Sequence, residues 1–111
     1  MLIPEPTEQQ ITRQIIDAIN KLPGIWAWRN NTGRKGDVQF GITGQADITG
    51  IVNGKRLEIE VKKPGQERTL SESQRAFLDR VGSLGGVSGV VTSLDQALKL
   101  VEPALLSKPT E

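Results

Sequence analysis

Two acids and a lysine in this chain stand at spacings that could do phosphodiester chemistry. Asp47 precedes, and Glu60 and Lys62 follow, the dipeptide Asn53-Gly54, which is flanked by alternating apolar residues. Asn-Gly in that setting predicts a two-residue type I′ reversal, because both central positions need positive φ. Such a turn pairs Val52 with Lys55, and counting back along the ladder sets Ile48 opposite Ile59 and Asp47 opposite Glu60. Opposed residues hold their Cβ atoms about 4.5–5.5 Å apart, where like charges destabilise a sheet. Two carboxylates so placed must share a proton, pair with cations or bind a metal. A hard cation held by them could polarise a phosphoryl oxygen and lower the pKa of a bound water. Lys62 shares the face of Glu60, and its ammonium could position that water or stabilise charge in the transition state. The ordinary alternative is a solvated strand face on which Lys62 neutralises Glu60, and Glu-x-Lys alone does not separate the two.

The same alternation assigns the rest of the hairpin. Ala46, Ile48, Val52, Leu57, Ile59 and Val61 form an apolar face, while Thr49, Arg56 and Glu58 join Asp47, Glu60 and Lys62 on the other. Glu58 lies a strand step further from the open end of the hairpin and is expected to be structural or, at most, to support the residues that hold the metal.

Other elements must hold this hairpin in place. Thr7-Glu8-Gln9-Gln10 fits a capping box that opens a helix through Ile11, Ile15, Ala18, Ile19 and Leu22, stopping at Pro23-Gly24. Ile25–Arg29 reads as a strand, and residues 30–45 as a long loop rich in Gly and polar residues. Beyond Pro64-Gly65, Ser71-Glu72-Ser73-Gln74 is a second capping box, and its helix presents Phe77, Leu78, Val81 and Leu84 on one face before Gly85-Gly86. A strand from Val87 to Thr92 follows, then a helix from Ser93 or Asp95 to about Leu105, and a frayed tail from Ser107. The order α-β-β-β-α-β-α predicts an α/β fold with a mixed four-stranded sheet flanked by helices, in which the last two strands are joined by a parallel crossover.

Composition narrows the chemistry further. The chain has 111 residues, which suits one domain, with a core expected over residues 7–104. It has no His and no Cys, which excludes common zinc sites and both Ser-His-Asp and Cys-His catalysis. It has no Tyr, which excludes a tyrosine nucleophile. The formal net charge of +1 does not by itself imply nucleic acid. No apolar run is long enough to span a membrane and no signal peptide is evident, so a cytoplasmic or nucleoid location is expected.

Several further residues have both a functional and an ordinary reading. Gln74 lies before Phe77 and Leu78 at helical spacing and could approach the metal or phosphate, or simply complete the cap of Ser71. Glu8 sits in the first helical turn, where an acid favours the helix N-terminus. Arg29, Asn30, Arg34 and Lys35 cluster where the first strand meets the long loop and could contact phosphates. Trp26 and Trp28 share a strand face and fit core or a subunit contact better than a base-stacking platform. No Walker A pattern occurs among the glycines.

Taken in order, these residues resemble a known family. Asp47 followed by Glu60-Val61-Lys62 after a hairpin is similar to the PD-(D/E)XK nuclease superfamily. Adding Glu8, Arg29-Asn30 with Gly33, Gly44-Gln45-Ala46-Asp47-Ile48, Gln74 and Gly85-Gly86, the chain resembles a virus-type replication-repair nuclease (VRR-NUC) domain over roughly residues 7–100. Ala46 stands where the superfamily's name has proline, a variable position. The resemblance implies a restriction-endonuclease-like αβββαβ core and a DNA endonuclease dependent on Mg²⁺ or Mn²⁺. It assigns the metal to Asp47, Glu60 and the backbone carbonyl of Val61, a catalytic role to Lys62, and completion of the site to Glu8 and Gln74. Small free-standing members resemble phage enzymes that cut branched DNA as homodimers, in the manner of Holliday junction resolvases. Flap- or end-directed cutting, or DNA binding without turnover, are the alternatives.

Overall fold

The computed structural model describes residues 4–30, 33–35, 38–40 and 42–107. Both capping boxes form. The Thr7 hydroxyl accepts from the Gln10 N–H at 3.1 Å and Gln10 Oε1 accepts from the Thr7 N–H at 2.8 Å, starting α1 (Glu8–Ile19). This helix ends short of Pro23-Gly24, because Asn20 turns its side chain to the next strand. Its amide donates to the Ala27 carbonyl at 2.9 Å and accepts from the Ala27 N–H at 2.8 Å. Ala27 lies in β1 (Ile25–Arg29).

The expected long loop contains a small ribbon instead: β2 (Gly33–Lys35) pairs with β3 (Val38–Phe40). The alternation Val38-Gln39-Phe40 carries a strand signal, but it is brief and set among glycines, and a two-stranded ribbon needs only three residues a side. The principal hairpin follows as β4 (Ile48–Val52) and β5 (Lys55–Val61). Its register runs from Val52↔Lys55 to Ile48↔Ile59, as the turn dictates, with φ of 47° at Asn53 and 82° at Gly54. Asn53 does a second job there. Its side-chain amide donates to the carbonyls of Ala104 and Leu105 at 2.9 and 3.1 Å, tying the hairpin to the end of the last helix.

Next come α2 (Glu72–Ser83), β6 (Val87–Val91) and α3 (Leu94–Leu106), which runs through Pro103. The main sheet has the order β1-β4-β5-β6, antiparallel except for the parallel pair β5 and β6. The fold is thus α/β, with one mixed four-stranded sheet flanked by three helices. No described helix is long and apolar enough to cross a membrane.

One face of the sheet carries the core. Ile11, Ile15 and Ile19 of α1 and Ala97, Val101 and Ala104 of α3 bury Ile48, Val52, Leu57, Ile59 and Val61. The other face meets α2, where Ser88, the register partner of Glu58, donates its hydroxyl to the Leu78 carbonyl at 2.7 Å. Leu78 is buried, whereas Leu84, expected on the same face, is exposed at the helix C-cap. Over β1 and β4 this second face is open, and Trp26 and Trp28 lie on it as a tilted pair with ring centroids 5.0 Å apart. Trp26 is 66% exposed, which excludes a place in the core.

Gly44 fixes how the segment before β4 enters the site. It has φ of 80°, and a Cβ there would lie 2.4 Å from the carbonyl carbon and oxygen of Ser73, in the first turn of α2. Gly44→Ala should destabilise the fold by about 1–3 kcal/mol through left-handed strain alone, with the backbone clash adding to it. Urea unfolding checks this, and an unchanged midpoint would contradict the close approach.

Candidate metal centre

Asp47 and Glu60 meet where the hairpin opens. Each lies one step beyond the last ladder pair, Ile48↔Ile59, and the Asp47 carboxyl acts on that of Glu60 from hydrogen-bonding range. β4 has ended at this point, and Asp47 continues the pairing with its side chain: Oδ2 accepts from the Val61 N–H at 2.8 Å. Its own carbonyl accepts from the Asn30 N–H at 2.8 Å. An N–H and C=O of one residue project to the same edge of a strand, so the Val61 carbonyl lies on the β4 edge of β5.

Glu60 is buried, and its Oε2 has no hydrogen-bond partner among the described residues. Burial, then the hydrogen bond and charge of Asp47, push its carboxyl up to about 9, while Lys62 pulls it down and Glu8 adds a small upward push. Without a cation the pair therefore holds a shared proton at neutral pH. The charges of Lys62 and Glu8 both act on Glu60. The Lys62 backbone is anchored by its N–H to the Val91 carbonyl at 3.0 Å.

A polar chain supports the pair from behind. Asn30 donates its side-chain amide to the Ala46 carbonyl at 2.7 Å and to the Thr49 hydroxyl. Thr49 donates in turn to Glu58 Oε2 at 2.7 Å, and Arg56 reaches Glu58 Oε1 through Nη2 at 2.9 Å. Glu58 is fully buried. Burial raises its pKa, and the hydrogen bonds from Thr49 and Arg56 oppose that rise. Every carboxylate oxygen of Glu58 is occupied, which separates it from Glu60 and supports the structural role expected for it. Thr49 and Arg56 went unnoticed as supports in the sequence, although the register that opposes Asp47 to Glu60 equally opposes Thr49 to Glu58.

The remaining expected residues divide. Gln74 Oε1 accepts from the Ser71 N–H at 2.9 Å, so its carbonyl completes the helix cap. The contact of Gly44 with Ser73 and Gln74 brings that cap against the segment leading to Asp47. Asn30 is tied into the site, and Arg29 beside it is exposed. Arg34 and Lys35 lie on β2, with side chains outside the described residues.

No protein-family model matches the chain, and no curated protein shows significant similarity to it. The centre must be judged on its own donors. Among the described residues no group of three or more His, Cys, Asp or Glu side chains is arranged to hold a metal. What is present is two neighbouring carboxyl groups, with one buried carboxylate oxygen unpartnered. These are hard oxygen donors of the kind that Mg²⁺ accepts while keeping several waters, and the orphaned oxygen fits such an ion.

Proposed function

We propose that this chain is a divalent-metal-dependent DNA endonuclease of the PD-(D/E)XK type, related to VRR-NUC domains. The observation that carries this reading is the pairing of half-buried Asp47 with buried Glu60, whose Oε2 lacks a hydrogen-bond partner among the described residues. A fold gains nothing from burying a carboxylate oxygen unsatisfied, so the arrangement makes sense if a cation replaces the shared proton.

Mg²⁺ or Mn²⁺ bound there would supply Lewis-acid polarisation of a phosphoryl oxygen and a water of lowered pKa. Asp47 and Glu60 would hold the ion, with the Val61 carbonyl as a third donor. The Asn30–Thr49–Glu58–Arg56 chain keeps the Asp47 segment from shifting. Lys62 places a positive charge beside the acids, suited to orienting the attacking water and stabilising the phosphorane-like charge. Glu8 adds negative charge near the ion, and Gln74 stands on the helix cap behind it. By the resemblance, the products are a 5′-phosphate and a 3′-hydroxyl.

A branched substrate cut by a homodimer extends this reading. Two symmetric cuts call for two sites related by a two-fold axis, and the open sheet face bearing Trp26, Trp28 and Ile51 is an apolar surface available to a second copy. The test incubates the protein with labelled four-way junction, flap and linear duplex in Mg²⁺, Mn²⁺ or EDTA. Metal-dependent cutting, fastest on the junction, is expected. Faster cutting of flaps or ends would replace the substrate assignment, and tight binding without cutting in any metal would make the chain a binding module. Lys62→Met should lower the cutting rate about 10²–10³-fold while leaving Mn²⁺ affinity within twofold. An equal loss of metal affinity would make Lys62 structural.

A further inference from the structure

We propose that a cleft between α1 and β1, lined by Arg13 and Arg29, binds a backbone phosphate of the DNA away from the one being cut. This rests on the nuclease reading and adds a phosphate subsite to it. The cleft has a volume of about 140 Å³ and is walled by Gln9, Thr12, Arg13, Ile16, Asp17 and Arg29.

Its position follows from the register. Arg29 pairs with Ile48, the residue after Asp47, and the next residue, Asn30, binds the Asp47 carbonyl. Side chains alternate along β1, so Asn30 faces the polar chain while Arg29 turns to the α1 side. Arg13 comes from that helix, five residues or about 7.5 Å along the axis from Glu8, whose charge reaches Glu60. The cleft therefore opens on the α1 face of the sheet edge, whose other face carries the acid pair.

Its chemistry suits an anion that is not supplied by the protein. Among the described residues neither guanidinium has a carboxylate within ion-pair distance, and the ion pairs formed are Arg56–Glu58 and Lys99–Asp95. The Thr12 hydroxyl is already committed, donating to the Glu8 carbonyl at 2.8 Å. Two guanidinium forks thus face one acid, Asp17, across the same opening, and the planar fork matches phosphate oxygens in pairs. Arg13, a lone arginine on the polar side of a helix, carries no signal in the sequence until β1 brings Arg29 to it.

The test measures initial cleavage rates of labelled DNA in Mg²⁺ or Mn²⁺ across a salt series. Wild type is compared with Arg13→Gln, Arg29→Gln, Asp17→Asn and, as a control, Lys99→Gln on the exposed side of α3. Each arginine variant should raise KM about three- to tenfold, with kcat within twofold, and make the slope of log kcat/KM against log salt shallower by about one. Asp17→Asn should lower KM, and Lys99→Gln should change nothing. Arginine variants with the wild-type slope, or Asp17→Asn with a raised KM, would overturn the subsite while leaving wild-type cutting, and so the nuclease reading, intact. Absence of any cutting by wild type would overturn both.

Discussion

Asp47→Asn should abolish metal-dependent cleavage, lowering the rate by at least about 10³-fold, because an amide cannot supply the charge that holds a hard cation. The fold should survive. The carbonyl oxygen of Asn can still accept from the Val61 N–H that Asp47 Oδ2 accepts from at 2.8 Å, and the backbone bond from Asn30 is unchanged. Circular dichroism and a single-turnover cleavage assay separate the two effects. Cleavage within tenfold of wild type by a folded Asp47→Asn protein would remove Asp47 from the centre.

Glu60→Gln should be inactive and, in the absence of metal, more stable than wild type. Glu60 carries a pKa raised to about 9, first by burial and then by Asp47. A group that holds its proton more tightly when folded favours the folded state most below its unfolded pKa. Its contribution is lost as pH rises from about 4.5 towards 9, where the unfolded chain has released a proton that the folded chain still holds. The metal-free wild type should therefore lose stability steadily over that window. Glutamine keeps the shape and a donor for Asp47 without a proton to lose, so Glu60→Gln should flatten that slope and gain about 1–3 kcal/mol at pH 8. Urea unfolding in EDTA at pH 5, 7 and 9 reads it. A wild-type midpoint that rises with pH would show that Glu60 is not held as the neutral acid.

The hairpin was readable because one dipeptide fixed it: Asn53-Gly54 permits essentially one reversal, and every pairing to Ile48↔Ile59 follows from it. Thr7 with Gln10 and Ser71 with Gln74 marked both helix starts for a similar reason, each satisfying two orphan donors at once. What the sequence could not show was depth. Alternation places Glu58 and Glu60 on a polar face, and nothing local reveals that α2 and β6 bury that face and leave the two acids with opposite fates. Glu58 has Thr49 and Arg56 on its oxygens, and Glu60 has Asp47 and an empty side. The exposed tryptophans are the converse case, since β1 lies at the edge of the sheet and α2 does not reach it. The ribbon of β2 and β3 is not legible in the sequence, because three-residue strands among glycines carry too few alternations to register.

The most direct measurement of the central claim is a calorimetric titration of Mn²⁺ at pH 7 in two buffers of different ionisation enthalpy. If Asp47 and Glu60 exchange their shared proton for a cation, wild type should bind the ion with release of roughly one proton, and the Asp47→Asn, Glu60→Gln double variant should bind none. Equal Mn²⁺ binding by the two proteins, with no proton released, would contradict the account.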